Sequence, residues 1–202
     1  MALNGGYKER PVLFRKKSGL AICLAAVFCL LAAEVTAAEF TARVLQTFKG
    51  RELHGKVYVK GELIRQDLEI EGGAAASIAR PDKQVMWLLF PMMKVYMEVP
   101  LKPGELKNIL AMPQDRSRMK LLGQEKVQGY TTDKYEMPLT VMGKETRAFI
   151  WLSPQLGFPL KMALADGSLT MEYQDIREGR VSGDFFEVPD GYKKMSMPLL
   201  GQ

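Results

Sequence analysis

The sequence predicts a mainly β protein: a curved antiparallel sheet of about eleven strands forming an incomplete barrel, with one short covering helix. Three observations carry this. Apolar residues recur at every second position in short runs, Gly, Pro and Asp punctuate those runs at hairpin-like intervals, and one stretch outside the N terminus has a helical period. A flat open sheet rarely grows past about ten strands, so a series this long must curve or partly close.

The first 38 residues stand apart. Lys8, Arg10, Arg15, Lys16 and Lys17 precede an apolar run from Gly19 to Ala33, and Val35-Thr36-Ala37-Ala38 supplies small residues for a peptidase. This reads as a secretory signal peptide over 1–38, cleaved near Ala38, with a single domain over 39–202 in the periplasm. The run is shorter than the roughly 20 apolar residues that span a bilayer. Both cysteines, Cys23 and Cys29, lie inside it, behind Ile22 and Phe28 where a lipoprotein signal wants a small residue, so the mature domain carries no thiol. The segment holds five of the 28 Lys+Arg and two of the 23 Asp+Glu, which leaves 23 against 21. A surface so balanced offers no basic stripe for nucleic acid.

The strands follow in order. Phe40, Ala42, Val44 and Phe48 alternate with polar residues. Gly50 to Gly55 reads as a turn, Lys56 to Val59 as a short strand and Lys60-Gly61-Glu62 as a second turn. Ile64, Leu68 and Ile70 mark the next strand, and a short one near Ala75 to Ala79 follows Gly72-Gly73. Then come Val85 to Phe90 and Val95 to Val99, and later strands near Met119 to Val127, Thr132 to Val141, Glu145 to Leu152, Pro159 to Ala165 and Ser168 to Arg177. Asp166-Gly167 suits a hairpin turn. The helix runs from about Glu105 to Met112, with Pro103 in its first turn, Leu106, Ile109 and Leu110 on one face, and Pro113 as its stop. The end of the chain, Val188 to Leu200, is irregular and apolar and is suited to wrap a sheet edge or close a cavity.

The hairpin around Pro91-Met92-Met93-Lys94 is the most apolar part of the domain. A four-residue connection pairs Phe90 with Val95, Leu88 with Met97 and Met86 with Val99, and opposed residues share a face. One face is then wholly apolar, while Val85, Trp87, Leu89, Tyr96 and Glu98 make a half-wet one. Twelve methionines follow the initiator, a residue that adapts to irregular apolar shapes. Met92 and Met93 at the tip are candidates to touch a membrane or a partner, or to fold back on Trp87 or the C-terminal tail.

Catalytic sets are lacking. His54, the one histidine, falls in a predicted turn, and no His/Cys cluster suits zinc, so neither enzyme activity, cofactor nor metal is assigned. Met92, Met93, Met195 and Met197 have the softness for Cu(I) but no regular spacing.

Several segments in order resemble the outer-membrane lipoprotein carrier superfamily, the LolA/LolB-like periplasmic proteins. They are Phe40 to Gly50, Gly55 to Lys60, Leu63-Ile64-Arg65, Ile78-Ala79-Arg80-Pro81-Asp82, Val85-Met86-Trp87 and Lys94-Val95-Tyr96. Phe149 to Pro154, Gly157 to Lys161 and Phe185 to Tyr192 resemble the closing half. The resemblance implies an incomplete barrel with a hydrophobic cavity for acyl chains, here without the carriers' long N-terminal helix. The function expected is a periplasmic lipid- or lipoprotein-binding carrier. Met86, Leu88, Phe90, Val95 and Met97 would line the cavity with Phe149, Trp151, Met162 and Leu164, and Arg65 would meet a headgroup. The partners expected are a lipid or acylated ligand, an envelope protein and a transient membrane contact, for a monomer. The alternative is a non-enzymatic envelope interaction domain with a fully packed core.

Overall fold

The computed structural model describes residues 38–102, 118–141 and 144–196. In the first strand, β1 (Glu39–Phe48), Phe40, Ala42 and Val44 are buried on one face while Arg43 is exposed on the other. Lys49 and Gly50 then take positive φ (49° and 77°), the conformation a two-residue hairpin turn demands. Pairing resumes at once with Phe48 opposite Arg51, so β2 is Arg51–Lys60.

The turn expected over Gly50 to Gly55 is therefore a strand, and His54 lies on it, exposed, opposite Leu45. Gly55 misled the reading for a physical reason. A Cβ there would lie 2.1 Å from the carbonyl oxygen of Asp67 on the next strand, so this glycine marks a close approach of two backbones.

The remaining strands lie within a few residues of expectation: β3 (Leu63–Ile70), β4 (Gly73–Arg80), β5 (Val85–Phe90), β6 (Val95–Pro100), β7 (Lys120–Val127), β8 (Tyr130–Val141), β9 (Lys144–Ser153), β10 (Phe158–Leu164) and β11 (Leu169–Glu178). To these eleven the structure adds β12 (Lys193–Lys194), parallel to β6 and too short to show a period in sequence. The order is β12-β6-β5-β4-β3-β2-β1-β11-β10-β9-β8-β7, one curved sheet that is not closed into a barrel. Two meanders, β1 to β6 and β7 to β11, are joined by the pairing of β1 with β11. Strands β6 and β7, consecutive in sequence, thus lie at opposite ends of the antiparallel series. The helix expected over Glu105 to Met112 falls outside the described residues, and those contain only short 3-10 turns besides strands.

Antiparallel alternation gives the sheet two distinct ends. At one end Phe40, Val59, Leu101, Val127, Leu156 and Phe158 are buried together, and Phe158 meets the rings of Phe40 and Tyr173 edge-on at 5.2 and 5.3 Å. Each large apolar side chain so buried contributes about 1.5–3 kcal/mol.

The C-terminal segment straps the face turned away from the core of Phe40, Val59 and Phe158; a curved sheet folds round its core, so this face is the convex one. Val181, Phe186, Val188 and Tyr192 pack on Ala76, Ile78, Trp87 and Leu89, and Phe185 stacks on Tyr58 at 4.4 Å. The face expected to be half-wet is thus dry: Trp87 and Leu89 are buried, and only Glu98 of that set is exposed, accepting a hydrogen bond from Trp87 Nε1 (3.1 Å). Arg80, 7% exposed, ties the strap down. Its guanidinium donates to Asp82 (2.7 and 2.8 Å), to the Phe186 carbonyl (2.9 Å) and to Glu187, which also takes Lys83 Nζ at 2.9 Å. Such a buried charge is tolerable only because it is paired and hydrogen-bonded. Farther along, Lys194 Nζ meets Glu98 at 2.8 Å, and the N–H of Met195 donates to the Tyr96 carbonyl.

Gly55→Ala is expected to destabilise by more than the roughly 0.5–1 kcal/mol by which Ala is ordinarily favoured over Gly in a strand, and with the opposite sign, because its methyl meets backbone. Urea unfolding checks this, and a stability equal to or above that of the wild type contradicts it.

The strap is also expected to respond to acid. The hydrogen bond from Arg80 holds Asp82 below the usual carboxylate range. Those from Lys83 and then Arg80 do the same for Glu187, as do those from Lys194 and then Trp87 for Glu98. Depressed folded pKa values give stability that is complete above the unfolded pKa and is lost as pH falls through the folded ones. In a Trp151→Phe background, Trp87 emission should hold from neutrality to about pH 5 and shift red below about pH 4. Emission unchanged until the whole domain unfolds would contradict the clamp.

Candidate functional site

Register shows which side chains share the concave face. One row runs Phe40, Val59, Ile64, Ala79, Met86, Val99, and the next Ala42, Val57, Gln66, Ser77, Leu88, Met97. Both begin in the buried core on β1 and β2 and end on the β5–β6 hairpin. The expected pairs are present, Phe90 with Val95, Leu88 with Met97 and Met86 with Val99. All six of these residues, though apolar, are only half-buried.

The same face continues through the second meander in the row Gln46, Met171, Met162, Ile150, Tyr135, Leu121. Leu164, two residues on from Met162, opposes Ala148 and belongs to the buried cluster of Met137, Ala148 and Ile150. Met162 and Leu164 therefore join the hairpin residues on one face.

Phe149 and Trp151 do not. Trp151 opposes Lys161 and Phe149 opposes Ala163, so both point to the other side from Ile150. Trp151 Nε1 donates to Glu125 Oε2 at 2.6 Å, and its ring lies between Lys134 Nζ (4.8 Å) and Lys161 Nζ (5.4 Å). Hydrogen bonds from Lys134, and then Trp151, hold Glu125 below the usual carboxylate range. Trp151 is nevertheless buried, in the cluster that holds Phe40 and Phe158, with Phe149 packed against it, so its ring is core capped by charged side chains.

Arg65 is likewise misplaced by the sequence reading. It opposes Tyr58 and Ile78 on the convex face, where its Nε donates to Asp67 (2.7 Å) and its Nη1 to the Phe185 carbonyl (3.2 Å). Its role there is to hold the strap, away from any headgroup at the concave mouth.

At the end of the sheet opposite the buried rings, large apolar side chains stay exposed: Phe48 at the β1–β2 tip, Ile70 at β3–β4, Met92 and Met93 at β5–β6, and Leu121 at the start of β7. Of these, Met92 and Met93 stand out in the sequence, and the others form one rim with them only through the strand order. Met92, 75% exposed, rests its sulfur so close to Gly73 that a Cβ there would be 2.3 Å away. Met93 is 64% exposed. The methionines do not fold back on Trp87.

Two consecutive turns, at opposite ends of β5, show that the turn itself does not call for methionine. Pro81-Asp82-Lys83-Gln84 and Pro91-Met92-Met93-Lys94 have the same build, a 3-10 turn opened by proline and closed by a left-handed residue (φ 55° and 50°) whose N–H returns to the proline carbonyl. One carries Asp-Lys at the positions where the other carries Met-Met.

Among the described residues no group of His, Cys, Asp and Glu is placed to hold a metal ion. His54 lies 3.9 Å from a carboxylate oxygen of Glu52. Met195 follows β12, and Met197 lies outside the described residues.

No curated protein matches the chain. Among solved structures it is similar to an uncharacterized conserved protein from Thermus thermophilus, at 12% identity over 86% of this chain and 99% of that one, with a TM-score of 0.58. It is also similar to the MucA/MucB complex of Pseudomonas aeruginosa (14%, 76% of this chain and 56% of that one, TM-score 0.48) and to the Mycobacterium tuberculosis lipoprotein LppX (13%, 80% and 95%, TM-score 0.41). The incomplete barrel implied by the resemblance to the lipoprotein carrier superfamily is the fold observed. A model of a domain of unknown function, DUF4412, matches residues 43–157, more than half of the sequence, and the chain belongs to that family.

Proposed function

We propose that the concave face binds the acyl chain of a lipid or acylated ligand and that the protein is a non-catalytic carrier in the cell envelope. The observation that carries this reading is the unequal treatment of the two faces of one hairpin. The strap buries Trp87 and Leu89, while the wholly apolar row opposite them, Met86, Leu88, Phe90, Val95 and Met97, is left half-exposed. Apolar surface on that scale, continuous with the core, is what a hydrophobic ligand would cover. Met162 extends the lining, and Leu164 backs it.

The exposed rim of Phe48, Ile70, Met92, Met93 and Leu121 would be the entrance and the point of transient membrane contact. Its methionines suit a surface that meets chains of variable shape. The periplasm is the compartment this function requires, with 1–38 as a cleaved signal peptide and 39–202 as the working domain.

A second reading, an interaction domain for an envelope protein, has one observation in its favour. Strand β7 ends the sheet opposite β12, pairs only with β8 among the described residues, and is exposed over its first seven positions. Such an edge can accept an added strand.

Displacement of a fluorescent fatty acid by unlabelled lipid separates the readings. Leu88→Asp should weaken binding at least tenfold by placing a carboxylate in the apolar row, and Met97→Ser should do so more mildly, both with the melting temperature nearly kept. Equal binding by the wild type and both variants, or no binding by any, contradicts the carrier reading. A separate assay addresses the rim: Met92→Ser/Met93→Ser should reduce co-sedimentation with vesicles several-fold and leave fatty-acid binding in solution unchanged. Unaltered co-sedimentation would remove the tip from the entrance.

A further inference from the structure

A groove of about 330 Å³ lies on the convex face, away from the acyl row, among Thr41, Arg43, Lys56, Tyr58, Asp175 and Arg177. Two cross-strand rows build it. Arg177, Thr41 and Tyr58 lie side by side on β11, β1 and β2, and beside them Gln174, Arg43 and Lys56 do the same. A bulge in β11, with Asp175 in the left-handed conformation (φ 49°), brings the Asp175 carboxylate onto Arg43.

The charges do not balance. Arg43 and Lys56 are directly opposed in register, a like-charge cross-strand pair that is destabilising when uncompensated. Asp175 serves Arg43, and Asp67, on the far side of Lys56, is engaged by Arg65 at 2.7 Å. Among the described residues Lys56 and Arg177 have neither an ion pair nor a side-chain hydrogen bond, and the hydroxyls of Thr41 and Tyr58 beside them have no partner.

We propose that this groove is a binding site for an oxyanion of the phosphate class. An anion above Thr41 would meet Arg177 on one side and Lys56 on the other, with the two hydroxyls as donors, and would cancel the repulsion between Lys56 and Arg43. Arginine supplies a fork and lysine a point charge, a pair suited to phosphate oxygens. The site does not depend on the acyl-binding reading, because it occupies the opposite face. Phosphate chemistry could come from a soluble ester or from a lipid headgroup.

The test titrates the purified protein at low ionic strength with inorganic phosphate, with glycerol 3-phosphate and with vesicles containing phosphatidylglycerol, comparing the wild type with Lys56→Gln/Arg177→Gln. The expected result is at least tenfold weaker binding in the variant with a melting temperature unchanged or raised, since Lys56→Gln removes a like charge opposite Arg43. Loss of the two soluble probes identifies a soluble phosphate ester as the natural class, and loss confined to vesicles identifies a headgroup. The proposal is overturned if no probe binds the wild type, or if the variant binds every probe as well as the wild type does. Lys120→Gln, a charge removed at the start of β7, controls for net charge, and an equal loss in it would also overturn the site.

Discussion

The structure depends on one constraint: both faces of the β5–β6 hairpin are apolar, and among the described residues the C-terminal segment seals only one of them. The convex side carries Trp87 and Leu89, and the C-terminal segment lies over it, anchored at Arg80 and again at β12. Hydrophobic burial supplies the drive, and the hydrogen bonds from Arg80 to Asp82, Glu187 and the Phe186 carbonyl fix where the strap lies. The concave side shares its rows with Phe40, Ala42, Val57 and Val59, so it is continuous with the core and becomes more exposed toward β6.

The two ends of the sheet repeat this asymmetry. Aromatic rings interlock at the end holding Phe40 and Phe158, whereas the hairpin tips at the other end show Phe48, Ile70, Met92 and Met93. The twin proline turns bear on this directly. Identical backbone geometry is satisfied by Asp82-Lys83 in one and Met92-Met93 in the other, so the methionines answer to a need other than folding the turn. The convex groove adds a polar counterpart, where unmatched cations sit on the face that the apolar row does not use.

Much of this was legible in the sequence because strands with one dry face leave a period of two, and because an even-length connection fixes which residues oppose each other. The pairing of Leu88 with Met97 is an example. What escaped notice depended on contacts distant in sequence. The strap decides that Trp87 is dry, yet its own sequence has no period. Gly55 looks like a turn residue and is a close approach to Asp67. Trp151 faces away from Met162 because β10 carries a bulge between Pro159 and Lys161, and a one-residue slip exchanges the faces of a strand. Arg65, placed at a cavity mouth by its prominence, is consumed by Asp67 and the Phe185 carbonyl.

The half-buried concave face is either a ligand site, as proposed, or packed core. Native mass spectrometry of the protein purified without detergent, followed by organic extraction, separates the two. For a ligand site, the expected result is a stoichiometric adduct that extraction resolves as an acyl-bearing species and that Leu88→Asp removes. A clean apo mass that stays clean after incubation with lipids would contradict it and assign the concave face to packing.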